Sequence, residues 1–261
     1  MHTVKSLKKD FEKIGLLPTD TVLVHTSVKA VGPMENGVDT LIDALMTYLN
    51  EGLLLVPTHT WRQINEENPI FNPETEQPCI GIMPEIFRHR EGVKRSWHPT
   101  HSLAAYGKPS EVDIFTEGAE QFDTPAPPNG WIGHMLDRKA KVLLIGVNHN
   151  RNTFIHGIEE IVDVPDRMTI ERQPLKVKVN GQVIDSPQRR HYGSTSEKYN
   201  KLYQPFLDYG VAVEGKIGDA TSQLCDTVKM TEFVTYLLNQ EISLFSHFEP
   251  IPESYLPKDR V

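Results

Sequence analysis

The stretch Gly146-Val-Asn-His-Asn-Arg-Asn-Thr-Phe-Ile-His-Gly-Ile-Glu-Glu160 directly follows the apolar run Lys141-Val-Leu-Leu-Ile145. Such an unbroken run is typical of a buried strand in an α/β sheet, and ligands of these sheets collect outside the carboxyl ends of strands. Asn152 or Thr153 can cap the helix that follows, so the free N–H groups of its first turn face the same crevice. The order of strand, polar turn and helix therefore predicts an α/β fold with its chemistry at this turn.

His156 and Glu159 are three residues apart and share one face of the predicted helix. A carboxylate at this spacing can orient or charge-stabilise an imidazole, which is the layout of a general base with its support. Two other interpretations stay open. The histidine could be hydrogen-bonded within a packed helix. The pair could also bind a metal, although His-x-x-Glu repeats on a second helix in carboxylate-bridged bundles and has no second copy here.

The length and charge of the chain limit what it can bind. Its 261 residues suffice for one large α/β domain, and we expect residues 1–261 to form a single domain. Lys and Arg number 27 against 35 Asp and Glu, a formal charge of −8. This charge disfavours nucleic acid and anionic membranes as partners and attracts a cationic small molecule.

Cysteine usage and hydropathy predict the compartment. The chain has only two cysteines, Cys79 and Cys225, which are too few for a zinc ribbon or a disulfide scaffold. No apolar run is long enough to span a bilayer. We therefore expect a soluble cytoplasmic protein, either a monomer or a dimer.

Polar side chains also follow two earlier predicted strands. Thr21-Val-Leu-Val-His25 leads to Ser27 and Lys29, and Gly52-Leu-Leu-Leu-Val-Pro57 leads to Thr58-His-Thr60. Ser27, Lys29 and the loop amides could hold a phosphate or pyrophosphate, although the loop has neither a Walker sequence nor a G-x-G-x-x-G. The repetition of polar groups at strand ends favours a binding site there.

Three further segments complete the pattern. Residues 61–79 have the composition of a long surface loop that forms a binding wall or lid. Arg95-Ser-Trp-His-Pro-Thr-His-Ser102 carries two histidines, but Pro99 between them argues against a shared helical face, so we favour a ligand-lining loop over a metal site. Asn180-Gly181, flanked by alternating polar and apolar residues, predicts an antiparallel hairpin with a type I′ turn.

In order and spacing, several blocks resemble the aminoglycoside 3-N-acetyltransferase family, also called the antibiotic N-acetyltransferase family. They are Val24-His-Thr-Ser-Val-Lys-Ala-Val-Gly32, Val56-Pro-Thr-His-Thr60, Arg95 to Ser102 followed by Ala104-Ala-Tyr-Gly107, Leu144-Ile-Gly146 leading to His156-x-x-Glu159, and Gly215-Lys-Ile-Gly-Asp-Ala220. The resemblance implies an α/β fold of one domain, with a central mixed sheet flanked by helices plus an antiparallel hairpin region. It also implies an enzyme without a metal that uses acetyl-CoA to acetylate the 3-amino group of aminoglycoside antibiotics.

The resemblance assigns roles to individual residues. The catalytic histidine of the family matches His156, with Glu159 as its acid. The acetyl-CoA-binding positions match His25, Ser27, Val28, Lys29, Thr58, His98 and Ser102. Carboxylates available to a cationic aminoglycoside or another amine are Glu66, Asp123 and Glu160. Because an ammonium cannot attack a thioester until it loses a proton, the implied mechanism is direct transfer with His156 as the general base.

Other functions stay open at this point. The same fold could acylate a different amine. A metal-dependent hydrolase could be built on His98, His101, His149 and His156. A binding module without turnover is the remaining alternative, but it has no reason to place a histidine and a carboxylate together beside a crevice.

Overall fold

The computed structural model describes residues 1–193 and 195–258, in which helices cover both faces of a mixed β-sheet. The strands are β1 (Thr21–Thr26), β2 (Leu53–Pro57), β3 (Ile70–Phe71), β4 (Lys94–Arg95), β5 (Leu103–Gly107), β6 (Lys141–Ile145), β7 (Lys176–Val179), β8 (Gln182–Asp185), β9 (Ala212–Ile217) and β10 (Ala220–Asp226). The α-helices are α1 (Val4–Ile14), α2 (Val38–Tyr48), α3 (Ile82–Phe87), α4 (Pro109–Thr116), α5 (Trp131–Asp137), α6 (Phe154–Val162), α7 (Tyr203–Asp208) and α8 (Thr227–Gln240).

The main sheet has seven strands in the order β4-β5-β2-β1-β6-β10-β9. At its centre β1 is parallel to both β2 and β6. The next strands outward, β5 and β10, are antiparallel to β2 and β6. The predicted mixed α/β sheet is confirmed. Because β1, β2 and β6 run in the same direction, the polar loops that follow them open at the same edge of the sheet.

Alternate strand residues face two separate apolar layers. Leu144 of β6 packs into the layer formed with α5, α6 and α8. Its neighbours Leu143 and Ile145 pack into the layer formed with α1, α2 and α3. Side chains of a strand point alternately to its two faces, so an apolar run with no polar position is what a strand buried on both sides requires.

A second, three-stranded sheet is built on the predicted hairpin. The turn residues Asn180 and Gly181 have φ angles of 50° and 76°, as a type I′ turn requires. β7 also pairs in parallel with β3, which lies inside the segment predicted only as a surface loop. The two-residue strand was missed because it has no alternation of its own and is stabilised by a partner about a hundred residues away.

Thr153 is the N-cap residue of α6, but its side chain makes no capping hydrogen bond. The side-chain oxygen of Asn152 accepts a hydrogen bond from the backbone N–H of Phe154 at 3.3 Å. The Thr153 hydroxyl instead lies 3.3 Å from Nε2 of His25, at the end of β1. These contacts tie the polar turn after β6 to the neighbouring strand.

Within the described ranges, no helix is long and apolar enough to cross a membrane.

The approach of α6 to α5 leaves no room for a side chain at Gly157. A Cβ atom there would lie 2.1 Å from Cδ1 of Ile132. We predict that Gly157→Ala lowers the free energy of unfolding by about 1–2 kcal/mol, because overpacking outweighs the roughly 1 kcal/mol that alanine gains in a helix. Urea unfolding measures the change.

The matched control is Ile132→Ala, alone and combined with Gly157→Ala. The double variant is expected to lose less stability than the sum of the single losses, because removing the isoleucine branches makes room for the new methyl group. Additive losses would contradict a steric cause.

Candidate active site

His156 lies at the end of a chain of buried hydrogen bonds. Its Nδ1 is 2.7 Å from the hydroxyl of Tyr199 and 3.4 Å from a carboxylate oxygen of Glu159. The Tyr199 hydroxyl donates a short hydrogen bond to that same carboxylate oxygen. The other Glu159 oxygen accepts a hydrogen bond from Nε of Arg167 at 2.8 Å. The expected pairing of His156 with Glu159 is therefore present, with a tyrosine hydroxyl between the two groups.

The proton count of this chain fixes the tautomer of His156. An ionised carboxylate can only accept hydrogen bonds, so the single hydroxyl proton of Tyr199 is directed to Glu159. The tyrosine oxygen is then the acceptor for His156, and Nδ1 of the neutral imidazole must carry the proton. Nε2 is left with a free lone pair, which is the state that a general base needs.

The electrostatics agree with these protonation states. Burial alone would raise the pKa of Glu159, but hydrogen bonding and charge from His156, followed by Tyr199 and Arg167, lower it below its usual value. Burial and the adjacent Glu159 charge raise the pKa of Tyr199 well above its usual value. Glu159 is thus ionised and Tyr199 protonated at neutral pH.

Further histidines form the wall beside His156. The ring of His191 stacks on His156, with 4.1 Å between ring centroids. The His101 ring lies edge-on to His191 at 5.8 Å, and His59 lies 4.5 Å from His101. Burial lowers the pKa of His59, His101 and His191, so these imidazoles are neutral at pH 7. The wall offers hydrogen-bonding groups without a fixed charge.

His98 holds two loops together behind this wall. Its Nδ1 accepts from the backbone N–H groups of His101 and Thr100, at 2.9 and 3.3 Å. Its Nε2 lies 3.0 Å from the carbonyl oxygen of Thr124, to which it must donate. Both ring nitrogens of this predicted acetyl-CoA contact are therefore engaged within the protein, and burial lowers its pKa to about 4.

The other predicted acetyl-CoA positions fall into two groups. His25, Ser27, Val28 and Lys29 lie at the end of β1, with Lys29 exposed and the hydroxyl of Thr153 within reach of His25. Thr58 and Ser102 are fully buried, and their hydroxyls lie 2.8 Å apart.

Arg95 fixes the Thr58 and Ser102 pair. Its guanidinium donates to both hydroxyls at 3.1 Å and to the carbonyl oxygen of Thr58 at 2.7 Å. The same side chain donates to the carbonyl oxygen of Pro73. Arg95 therefore links Thr58, which follows β2, and Ser102, which precedes β5, to the loop of residues 61–79.

The three carboxylates predicted for the acceptor have different surroundings. Glu66 is exposed. Asp123 pairs with Arg172 at 2.6 Å. Glu160 is buried, accepts from the backbone N–H of Ala126 at 3.0 Å and lies 3.4 Å from Nε2 of His191. Two of the three carboxylates are thus already paired within the chain.

One cavity reaches His101 of this wall but does not include His156. It has a volume of about 190 Å³ and is walled by aromatic side chains such as Phe115, Phe122 and Trp131, with His98 and His101 at its polar end. His156, Tyr199 and Glu159 do not line it. Nδ1 of His156 is engaged by Tyr199, and no hydrogen bond within the described residues involves its Nε2.

The four histidines of the hydrolase alternative are not arranged around one point. Both ring nitrogens of His149 are engaged, by Gln223 at 2.8 Å and Asn152 at 3.2 Å, and the ring packs on Phe206. Among residues 1–193 and 195–258, no three His, Cys, Asp or Glu side chains are placed to hold a metal ion.

Sequence reasoning missed two residues that contact the base or its carboxylate. Tyr199 and Arg167 lie 43 and 11 residues from His156 and have no motif spacing relative to it. Long-range packing, which no local pattern records, brings these side chains to Glu159 and His156.

Comparison with known proteins gives the family. The model of the aminoglycoside 3-N-acetyltransferase family matches residues 23–239. The chain belongs to this family. It is 28% identical over 261 residues to aminoglycoside N(3)-acetyltransferase IX of Micromonospora chalcea, a match that covers 88% of this chain and 91% of that relative.

Two solved structures of family proteins share the fold. AAC-IIIb in a binary structure with CoASH superposes with a TM-score of 0.81 at 25% identity, covering 92% of this chain and 97% of the other. Aminoglycoside acetyltransferase AAC(3)-Xa gives a TM-score of 0.79 at 26% identity, covering 92% and 94%. The chain is therefore an acetyltransferase by family, and the predicted family is confirmed.

The buried neutral histidines predict acid sensitivity. The pKa of His98 is about 4 in the folded protein, whereas an unfolded histidine has a pKa of about 6.5. The unfolded state therefore binds more protons between these values, and the free energy of unfolding falls as pH drops from about 6.5 towards 4. Glutamine keeps both hydrogen-bonding functions of His98 but does not titrate. We predict that in His98→Gln the fall in the free energy of unfolding between pH 7 and pH 5 is smaller than in the parent by about 1–2 kcal/mol.

Urea unfolding of the parent and of His98→Gln at the two pH values tests this. An identical pH dependence in His98→Gln and the parent would show that His98 is not buried as a neutral group.

Proposed function

We propose that this chain transfers an acetyl group from acetyl-CoA directly to the 3-amino group of an aminoglycoside, with His156 as the general base supported by Glu159. The observation that carries the proposal is the hydrogen-bond chain from Arg167 through Glu159 and Tyr199 to Nδ1 of His156, because it leaves Nε2 free. Membership of the family supports the reaction. Similarity to AAC-IIIb, whose structure contains CoASH, supports the acetyl donor.

The base is needed to prepare the acceptor. An aminoglycoside amine is largely an ammonium at neutral pH, and Nε2 of His156 removes its proton. The freed nitrogen attacks the thioester carbonyl carbon, a C–N bond forms, and the C–S bond breaks as the tetrahedral intermediate collapses. The sulfur leaves as a thiolate and takes up the proton that His156 accepted, which restores the neutral base, while the acylated nitrogen loses its remaining extra proton to water to give the amide. No enzyme nucleophile is required.

Glu159 acts on the charge that develops on His156. Once the imidazole has taken a proton, the buried carboxylate stabilises the cation through the Tyr199 hydroxyl and across the 3.4 Å contact to Nδ1. The stabilisation is larger than in water because Glu159 is almost fully buried. Arg167 keeps the carboxylate in place without contacting the base.

We place acetyl-CoA along the carboxyl ends of β1 and β2. Ser27, Val28 and the exposed Lys29 follow β1, where the Lys29 ammonium suits a phosphate. His25 lies between this loop and the start of α6. Thr58, Ser102 and His98 would contribute by holding the walls of the donor site, since their polar atoms are already paired.

The state of the carboxylates favours a second candidate acceptor. Asp123 is paired with Arg172, and Glu160 is bonded to Ala126 and close to His191, so of these three carboxylates only Glu66 is exposed. An amine with fewer positive charges than an aminoglycoside would need fewer free carboxylates. The same reaction on a different amine is therefore the alternative to be tested.

Thiol release from acetyl-CoA in the presence of a panel of aminoglycosides tests the proposal. We expect the parent to turn over, and His156→Ala to lose at least about a hundredfold in kcat, because a general base contributes roughly 100- to 10,000-fold. CoA affinity, measured by calorimetry, should be retained in the variant. His89→Ala, at an exposed histidine just after α3, is the control and should keep the parent rate.

Each failure has a separate meaning. No turnover by the parent with CoA still bound would eliminate aminoglycosides and leave the second candidate acceptor. Undiminished turnover by His156→Ala would refute the assignment of the base.

A further inference from the structure

Two histidine and carboxylate pairs lie face to face in the active site. The rings of His156 and His191 have 4.1 Å between centroids and an interplanar angle of 22°, the geometry of a stack. Each ring is close to its own carboxylate, Glu159 for His156 and Glu160 for His191. The two glutamates are adjacent in sequence on α6.

A short antiparallel ladder positions the second histidine. Residues 167–169 pair with residues 190–192: the N–H of Thr169 donates to the carbonyl oxygen of Arg190 at 2.8 Å, and the N–H of Tyr192 donates to that of Arg167 at 2.7 Å. The same ladder thus presents Arg167 to the Glu159 carboxylate and His191 to the His156 ring. One side chain from each paired segment thus contacts either the His156 ring or the carboxylate beside it.

The ring of His191 is neutral and held at its edges. Glu160 is fixed by the backbone N–H of Ala126 and lies 3.4 Å from Nε2 of His191, which favours the proton on that nitrogen. His101 packs edge-on against the ring. Burial and then the proximity of His156 lower the pKa of His191 to about 4, against the raising effect of Glu160.

The environment of the stack selects which ring takes a proton. The titratable and charged groups that face it from the packed elements are Glu159, Tyr199, Arg167, Glu160, His101 and His59. Two imidazoliums in face-to-face contact would repel one another, so the stack holds one proton at most. Glu159, which lies 3.4 Å from Nδ1 of His156 and accepts a hydrogen bond from the Tyr199 hydroxyl, favours His156 as the site of this proton.

We propose that His191 is a positioning residue for the general base: its neutral ring holds the plane of His156 and stabilises the imidazolium formed when the acceptor gives up its proton. An aromatic face within about 6 Å of a cation attracts it, and the attraction grows when water is excluded. The inference rests on the proposed role of His156. It assigns to His191 a function that depends on its ring face and not on its nitrogens.

Two substitutions of His191 separate the ring face from the nitrogens. His191→Phe keeps a flat ring and removes both nitrogens, whereas His191→Leu fills similar space without a π face. For the leucine variant we expect kcat to fall about tenfold. We also expect the acid limb of the pH profile of kcat, which reports the base in the bound complex, to move to lower pH. The phenylalanine variant should stay within about threefold of the parent, with its acid limb unmoved.

Melting temperature and CoA affinity of both variants establish that they are folded. Unchanged kinetics in His191→Leu would overturn the inference. Equal losses in both variants would also overturn it, because they would mean that the nitrogens of His191 act. A fall in kcat with an unmoved acid limb in the leucine variant would indicate a structural effect only.

His156→Ala in the same assay keeps the two proposals apart. If it abolishes turnover while His191→Leu behaves as the parent, the base assignment stands and only the stacking role falls. If it retains turnover, both proposals fail.

Discussion

The buried carboxylate of Glu159 is the constraint on which the active site depends. Its side chain is 2% exposed, and an unpaired charge at such a depth would be severely destabilising. Arg167 satisfies one oxygen, and Tyr199 and His156 surround the other. Helix α6, the loop after it and the 3-10 helix Thr195–Leu202, which comes after β8, must therefore pack together for the charge to be tolerated. The interaction that stabilises this part of the fold also sets the proton positions on the base.

The strands of the sheet and the loops position different residues of the site. Parallel β1, β2 and β6 bring their carboxyl ends to one edge, where residues suited to the acetyl donor collect. The ladder between residues 167–169 and 190–192 supports the base from the other side. Arg95 ties the ends of β2 and β5 to the loop that contains β3. The strands thus hold the proposed donor side, whereas the proposed acceptor side is made of long connections, the part of a fold that can change without loss of the sheet.

Local patterns predicted the features that local residues determine. The strand and helix around Gly146, the His156 and Glu159 spacing and the turn at Asn180-Gly181 depend on residue types a few positions apart, and the structure contains all three. Tyr199 entered no prediction, because its contact with His156 spans 43 residues and is set by the path of the chain. The partners of Asp123 and Glu160 were equally invisible, since Arg172 and His191 reach them only through tertiary packing. Spacing in the sequence identifies candidate side chains, and tertiary packing decides which of them are already paired within the protein.

The central claim is that Tyr199 and Glu159 fix the proton of neutral His156 on Nδ1, and ¹⁵N NMR of the imidazole nitrogens tests it most directly. At a pH where the protein is stable and the ring neutral, the account predicts a protonated Nδ1 and a bare Nε2 for His156. His98 is an internal reference, because two backbone donors at its Nδ1 and the Thr124 carbonyl at its Nε2 require the opposite tautomer. In Tyr199→Phe the preference of His156 should weaken while His98 is unchanged. A proton on Nε2 of His156 in the parent protein would contradict the account, because the nitrogen meant to accept the proton would already carry one.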